Sequence, residues 1–328
     1  MRKKEVVFVY RYWARFQETT VRMLSEKYDV KIFQFTGIRC IPELFRLMRK
    51  DNISIYYFGG RHAVFGNLLS IFKRHKTVVI IAGYEVEDYS YGAPGHPLGR
   101  LVSRFAIDFA DYIIVVSKYL KEQLSIFSPR KDVFLCYAPN TVDVSFFSKS
   151  DAQKRSLVIS VGVISDVSLK RKGFETFIEC AEKMPDTKFI WAGLCRSPEN
   201  KKSLEKYSIP GNMEVLVNLS KEELLSLYSH ATVYCQLSSI EGFGVALAEA
   251  MACECVPVVT GRGGMAEVVG DAGVIVPYGD VEKTVEGIKY ALAHPELGKK
   301  ARQRIVENFN YEKLKNEFLT IIEKIYPS

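Results

Sequence analysis

Short runs of apolar and β-branched residues alternate along this chain with longer stretches whose apolar positions recur at helical spacing. Val6–Tyr10, Val30–Phe35, Ile53–Phe58, Thr77–Ala82, Tyr112–Val116 and Asp132–Cys136 have the length and composition of buried strands. Helical periodicity fills the intervals near 17–28, 40–50, 61–74, 97–110 and 117–127. The alternation breaks at Ala138-Pro-Asn-Thr-Val-Asp143, and the polar stretch Ser148–Ser156 reads as a linker. It then resumes, with strands near 157–162, 187–192, 213–217, 231–236, 256–260 and 273–276, and ends in helical, amphipathic residues 280–325. Strands alternating with helices predict βαβ units and parallel sheets covered on both faces. The expected fold class is therefore α/β, with two Rossmann-like domains facing each other across a cleft. The first spans 1–150 and the second 151–310, with a C-terminal helix of 311–328 packing back on the first. Ligands of such sheets sit at the carboxyl ends of the strands.

Composition adds limits. The 328 residues are 48% hydrophobic, enough for two domain cores, and no apolar run reaches the length of a membrane span. The start Met1-Arg-Lys-Lys-Glu-Val-Val-Phe-Val-Tyr10 is basic then apolar. Its apolar run is too short for a signal peptide, so it reads as a first strand and a cytoplasmic location is expected. Seven scattered cysteines form no Cys-x-x-Cys pair and read as buried thiols. A net charge of +7 favours anionic partners without choosing among phosphates, anionic lipid and nucleic acid.

One segment concentrates candidate chemistry: Leu237-Ser-Ser-Ile-Glu241-Gly-Phe-Gly-Val-Ala-Leu-Ala-Glu249-Ala-Met-Ala252. It follows the strand ending at Gln236 and opens a helix near Phe243. Gly242 and Gly244 allow close approach to the backbone, and a helix start attracts an anion such as a diphosphate. Glu249 shares a helix face with Gly242 and Val245 and sits among alanines, an unusual place for a surface charge. A carboxylate there can accept two hydrogen bonds from a vicinal diol such as a ribose. Upstream, Lys170-Arg171-Lys172 follows the strand that contains Gly162. In the first half, the turn after the first strand is Arg11-Tyr-Trp-Ala-Arg-Phe16, not the glycine-rich turn of a dinucleotide binder, which argues against a dehydrogenase. Arg11, Tyr12, Tyr84, Glu85 and His96 are candidates for binding a second substrate. Arg61–Lys76 is a basic, amphipathic stretch. Its Phe65, Leu68, Leu69 and Phe72 are expected to cover the sheet, and the alternative is contact with anionic lipid.

Glu241-Gly-Phe-Gly…Glu249-Ala-Met-Ala resembles the donor-site signature of family-4 retaining glycosyltransferases of the GT-B fold, within the glycosyl transferases group 1. The flanks Val256-Pro-Val-Val, Gly263-Gly-Met-Ala-Glu267, Ile159-Ser-Val-Gly162 and Lys172-Gly173 agree with that pattern, as do Asp111–Ser117 and Pro139–Asp143. The resemblance implies transfer of a sugar from a nucleotide-diphosphate sugar to an acceptor hydroxyl of a glycan, lipid-linked or small molecule, with retention. It implies that Glu249 binds the ribose and that Glu241 lies by the donor sugar and its phosphate. Phe243 and Gly244 would offer backbone N–H groups, and Lys172 would neutralise the leaving diphosphate. No cofactor or metal is expected, and the chain has no Asp-x-Asp motif. Val163 stands where that family usually has an arginine, and Ala82 where it often has a histidine. Lys170, Arg171 and Lys172 are expected to supply the missing cation. A nucleotide-sugar epimerase of the same fold and a nucleotide-sugar binder with little turnover are the alternatives. The expected partners are a nucleotide sugar and a glycan or lipid-linked acceptor, with possible peripheral contact at the inner face of an anionic membrane and no nucleic acid.

Overall fold

The structure, a computed structural model, describes residues 3–13, 15–83, 85–86, 97–129, 132–148 and 154–326. The chain divides into two compact units: residues 1–141 with Tyr311–Ser328, and Val142–Asn310. The division falls at Thr141 instead of 150, within the Pro139–Asp143 stretch where the alternation breaks. Most of the polar stretch at 148–156, residues 149–153, lies outside the described residues.

In the first unit, β1 (Glu5–Tyr10), α1 (Arg15–Lys27), β2 (Asp29–Gln34), α2 (Ile41–Leu47), β3 (Ile53–Tyr57) and α3 (Arg61–Lys73) are followed by β4 (Lys76–Ile81), α4 (Pro97–Asp108), β5 (Tyr112–Val115), α5 (Lys118–Phe127) and β6 (Val133–Leu135). The strands form one parallel sheet in the order β2-β1-β3-β4-β5-β6. The second unit runs through β7 (Arg155–Val163), α6 (Asp166–Arg171), α7 (Phe174–Glu182), β8 (Lys188–Leu194), α8 (Pro198–Lys202), β9 (Met213–Val217), α9 (Lys221–His230) and β10 (Ala231–Gln236). It continues through α10 (Val245–Ala252), β11 (Val256–Val259), α11 (Met265–Val269), β12 (Val274–Ile275), α12 (Val281–Ala293) and α13 (Leu297–Asn308). Its sheet is also parallel, ordered β12-β11-β10-β7-β8-β9. The final helix, α14 (Tyr311–Ile325), belongs to the first unit. There Tyr311 donates to Glu26 at 3.0 Å, Lys315 pairs with Glu26 at 3.0 Å, and Tyr326 stacks on Tyr28.

Near-continuous apolar strands are what a two-sided parallel sheet requires, and the interiors of β1, β3 and β4 are buried throughout. The second core gathers Phe174, Phe177, Phe189 and Trp191 with Val158 and Val233. Edge-to-face aromatic contacts, such as Phe174–Trp191 at 4.8 Å, fix their packing.

Helix α3 departs from the expectation. Its buried side is His62, Ala63, Gly66, Asn67 and Ser70, while Leu68 and Phe72 face outward. The reason lies in β3. Tyr56 and Tyr57 are fully buried, and the Tyr56 ring occupies the space that a side chain at 66 would need: a Cβ there would fall 2.0 Å from its hydroxyl. Small and hydrogen-bonding residues therefore face the sheet, Leu68, Ile71 and Phe72 are turned away from it, and Phe65 and Leu69 are half-buried at the side, with the Phe65 ring stacked on Phe35 at 5.8 Å.

Candidate functional site

In an open parallel sheet the loops at the carboxyl ends diverge where the strand order reverses, leaving room for a ligand. In the second unit that place lies between β7 and β10. The segment after β7 carries Arg171 and Lys172, and the segment after β10 carries Glu241. The two are bound to each other. Ser239 N donates to Arg171 O at 2.7 Å. Gly173 takes φ +71°, and a Cβ there would lie 2.3 Å from Leu237 O, so only glycine permits this approach. On the other side, Gly264 N donates to Glu241 O at 2.8 Å. Gly263 has φ +72°, and a Cβ on it would lie 2.2 Å from that same oxygen.

These constraints bring a carboxylate and two cations together in a poorly hydrated place. Lys172 Nζ lies 2.6 Å from Glu241 Oε1, and Arg171 Nη1 lies 3.2 Å from it. Both Lys172 and Glu241 side chains are only 14% exposed. Ser238 Oγ donates to the same oxygen at 2.8 Å. Behind it runs a buried chain in which Tyr234 OH donates to Gln236 Oε1 at 2.6 Å, and Gln236 Nε2 donates to Ser238 Oγ at 2.9 Å. Burial opposes ionisation of Glu241. The charges of Lys172 and Arg171, with hydrogen bonds from Lys172 and Ser238, outweigh it and hold the carboxyl at about 2. Burial also lowers the Lys172 ammonium, against the pull of Glu241. The stem of Lys172 runs beside Gly162, where a Cβ would fall 3.5 Å from Lys172 Cγ and 2.7 Å from the Trp191 ring. Lys170 is exposed on α6, and Val163 ends β7.

Helix α10 begins at Val245, two residues later than expected, with Gly244 in the left-handed region as its N-cap. Gly242 and Phe243 are buried, and the Phe243 ring packs edge-on against Phe309 at 5.3 Å. Glu249 lies half-buried on α10, and its Oε2 accepts from Tyr228 OH at 3.3 Å. Burial raises the Tyr228 and Tyr234 hydroxyls well above the usual phenol range, and the nearby carboxylates Glu249 and Glu241 reinforce this, so both hydroxyls are donors at neutral pH. The carboxylate pair, Lys172 and Arg171 were legible in the sequence. Tyr228, Tyr234, Gln236 and Ser238 were not, although polar residues in a strand buried at every position were a signal. Ser239 Oγ is buried without a hydrogen-bond partner among the described residues. Among the described residues, no group of three or more His, Cys, Asp or Glu side chains is arranged to hold a metal ion.

In the first unit the strand order reverses between β1 and β3. Arg11 and Tyr12 are exposed after β1, with the guanidinium 5.1 Å from the Tyr12 ring. Trp13 packs edge-on against Tyr10 at 4.9 Å. Glu85, after β4, is fully buried and accepts from Gly83 N at 2.9 Å and Gly59 N at 3.3 Å. Burial lifts its carboxyl to about 7 despite those amide donors. His62, at the start of α3, is lowered to about 4 by burial, partly offset by its bond to Tyr57 O. Tyr84 and His96 lie outside the described residues, as do Tyr89 and Tyr91.

Residues 143–309 match the family model described as glycosyl transferases group 1. The chain is 24% identical over 330 residues to N-acetyl-alpha-D-glucosaminyl L-malate synthase of Bacillus anthracis, covering 93% of this chain and 83% of that protein. It is also 24% identical over 265 residues to one subunit of the Arabidopsis thaliana phosphatidylinositol N-acetylglucosaminyltransferase, covering 77% of this chain but only 57% of that protein. Among solved structures, Anabaena HepE in complex with UDP and glucose matches with a TM-score of 0.81 at 13% identity, over 98% of this chain and all 100% of that one. Sucrose-phosphate synthase of Thermosynechococcus elongatus matches with a TM-score of 0.78 at 17% identity, over 99% of each chain. At these identities the structural likeness establishes the fold, which is that of GT-B proteins.

Proposed function

This chain belongs to the glycosyl transferases group 1 family, and from that premise we propose that it moves a sugar from a nucleoside-diphosphate sugar to an acceptor hydroxyl with retention of anomeric configuration. The observation that carries the proposal is the partly buried Arg171–Lys172–Glu241 cluster at the strand-order reversal between β7 and β10, with Glu249 on the helix that follows.

Each group has a task that its setting supports. Arg171 and Lys172 bear the negative charge that grows on the departing diphosphate. In a poorly hydrated place fixed cations act strongly and need no reorganisation at the moment of bond cleavage. Glu241 keeps Lys172 protonated while it is buried, and its carboxylate lies beside the donor sugar. The start of α10 adds about half a positive charge. Glu249 accepts from the ribose diol while Tyr228 holds one of its oxygens. No divalent metal is called for in this scheme, because side-chain cations and the helix start meet the charge.

The bond from the anomeric carbon to the phosphate oxygen breaks, and the bond to the acceptor oxygen forms on the same face. The acceptor proton passes to the leaving phosphate, and the nucleoside diphosphate departs. Arg11 and Tyr12, exposed after β1, are the proposed acceptor-side residues; Glu85, expected beside them, is instead fully buried and holds the loop after β4 through the Gly83 and Gly59 amides. The test is incubation with labelled UDP- and GDP-sugars followed by product analysis. Transfer or slow hydrolysis, with release of nucleoside diphosphate, is expected. An epimerised donor, or saturable binding without any product, would overturn the proposal in favour of an epimerase or a binding protein.

A further inference from the structure

The large apolar residues that α3 turns away from the sheet are not isolated. Leu68, Ile71 and Phe72 on α3, and Leu101, Phe105 and Phe109 on and just after α4, are each between 43% and 80% exposed. Asn67 Nδ2 donates to Ala106 O at 2.7 Å and locks the two helices side by side, so their outward faces form one surface. Phe105 and Phe109 stack with ring centroids 5.6 Å apart. A surface helix ordinarily points charge at water. Here α3 contains no carboxylate, and its cations stand at its ends: Arg61, Lys73 and the adjoining Arg74. Helix α4 adds exposed Arg100 and Arg104. Its one carboxylate, Asp108, is bound by Arg104 at 2.9 Å and by the Ser128 hydroxyl.

We infer that the paired outward faces of α3 and α4 form a docking surface for an anionic lipid bilayer. An apolar face bordered by cations matches a membrane interface, where the hydrocarbon side chains reach the acyl boundary and the cations meet lipid phosphates. No helix among the described residues is long and apolar enough to cross a membrane, so the contact is with the surface. A second copy of the chain is a poor occupant. A self-paired face would set five cations against five, with one already paired carboxylate on each side. The inference goes beyond the donor-site reading and does not depend on it, because membrane binding is measured without turnover.

The test is co-sedimentation of the whole chain with vesicles of phosphatidylcholine alone, or of phosphatidylcholine mixed with phosphatidylglycerol. Binding is expected to the mixed vesicles and to be far weaker with the neutral ones. Phe72→Asp with Leu101→Asp should weaken it about tenfold or more. Lys73→Gln with Arg100→Gln should weaken it about thirtyfold, at roughly 1 kcal/mol per charge. Phe72, Leu101 and Arg100 are exposed and Lys73 is half-buried over the Phe45 ring, so thermal melting followed by circular dichroism should change little and separates loss of docking from loss of fold. Failure of the wild-type chain to sediment with either vesicle would overturn the inference. So would vesicle binding indifferent to both double variants, or a wild-type dimer that Phe72→Asp converts to monomer.

Discussion

Replacing Lys172 by methionine keeps most of the buried stem and removes the ammonium that lies 2.6 Å from Glu241. Glu241 then keeps Arg171 at 3.2 Å and the Ser238 hydroxyl at 2.8 Å, but loses its nearest charge. Burial acts on both partners: the cations hold the Glu241 carboxyl at about 2, but the Lys172 ammonium is itself lowered, so the pair contributes less than the carboxyl alone suggests. The substitution leaves a largely buried carboxylate without its nearest cation, which ordinarily costs about 3–5 kcal/mol. With Arg171 and Ser238 remaining, Lys172→Met should forfeit about 2 kcal/mol at pH 7. A lowered carboxyl contributes above its unfolded value and loses that contribution as pH falls through the folded one. The assay is urea unfolding followed by Trp191 emission in a Trp13→Phe background. Trp191 is buried in the second unit beside the Lys172 stem, so it reports that unit alone. The midpoint should fall by about 1 M. Adding Glu241→Gln should recover at least half of the loss, because no uncompensated charge is left. A single variant with the wild-type midpoint, or a double variant no more stable than the single one, would refute the reasoning.

Other outcomes follow from the same geometry. Glu85→Gln should flatten the pH dependence of the first unit. Its carboxyl is raised to about 7 from 4.5, so its contribution of about 3 kcal/mol is present below 4.5 and is lost as pH rises through 7. Urea unfolding at several pH values, read by Trp13 emission in a Trp191→Phe background, measures this, and an unchanged slope would count against it. Gly173→Ala should cost about 1–3 kcal/mol and weaken nucleoside-diphosphate binding, because φ +71° and the close Leu237 carbonyl leave no room for a methyl group. Wild-type stability and affinity would show that the turn is more forgiving. Transfer should survive chelation; complete loss restored by manganese or magnesium would contradict a metal-free charge balance.

The alternation of short apolar strands with helical stretches was sufficient for the architecture, because a parallel sheet buried on both faces leaves a strong periodic record. Elements that depend on partners left a weaker one. The apolar residues of α3 have helical spacing, but which face they occupy was decided by Tyr56 on the neighbouring strand, which the helix sequence does not reveal. In the site, Glu249 was legible because a charge among alanines is unusual, Lys172 because its basic run follows a strand and precedes a helix, and Glu241 through its place in the resembled motif. The convergence of Arg171 on the same carboxylate was not, because it depends on how the loops after β7 and β10 meet. The Tyr234–Gln236–Ser238 chain looked like ordinary strand sequence, and its role appears only when the buried hydroxyls find their partners. Glu85 stood out only by its position after a strand, and nothing in its neighbours foretold complete burial.

The most direct test of the central claim, that the second unit binds the donor through the end of β7 and the start of α10, is calorimetric titration of UDP and GDP into the wild-type chain and Glu249→Ala. The account predicts that the wild type binds at least one of them. Glu249→Ala should lose about 1.5–3 kcal/mol, roughly ten- to hundredfold in affinity, while remaining folded, with a modestly lower melting temperature because the buried Tyr228 hydroxyl loses its acceptor. Equal affinity in the two proteins, or no binding of either nucleotide by the wild type, would contradict it.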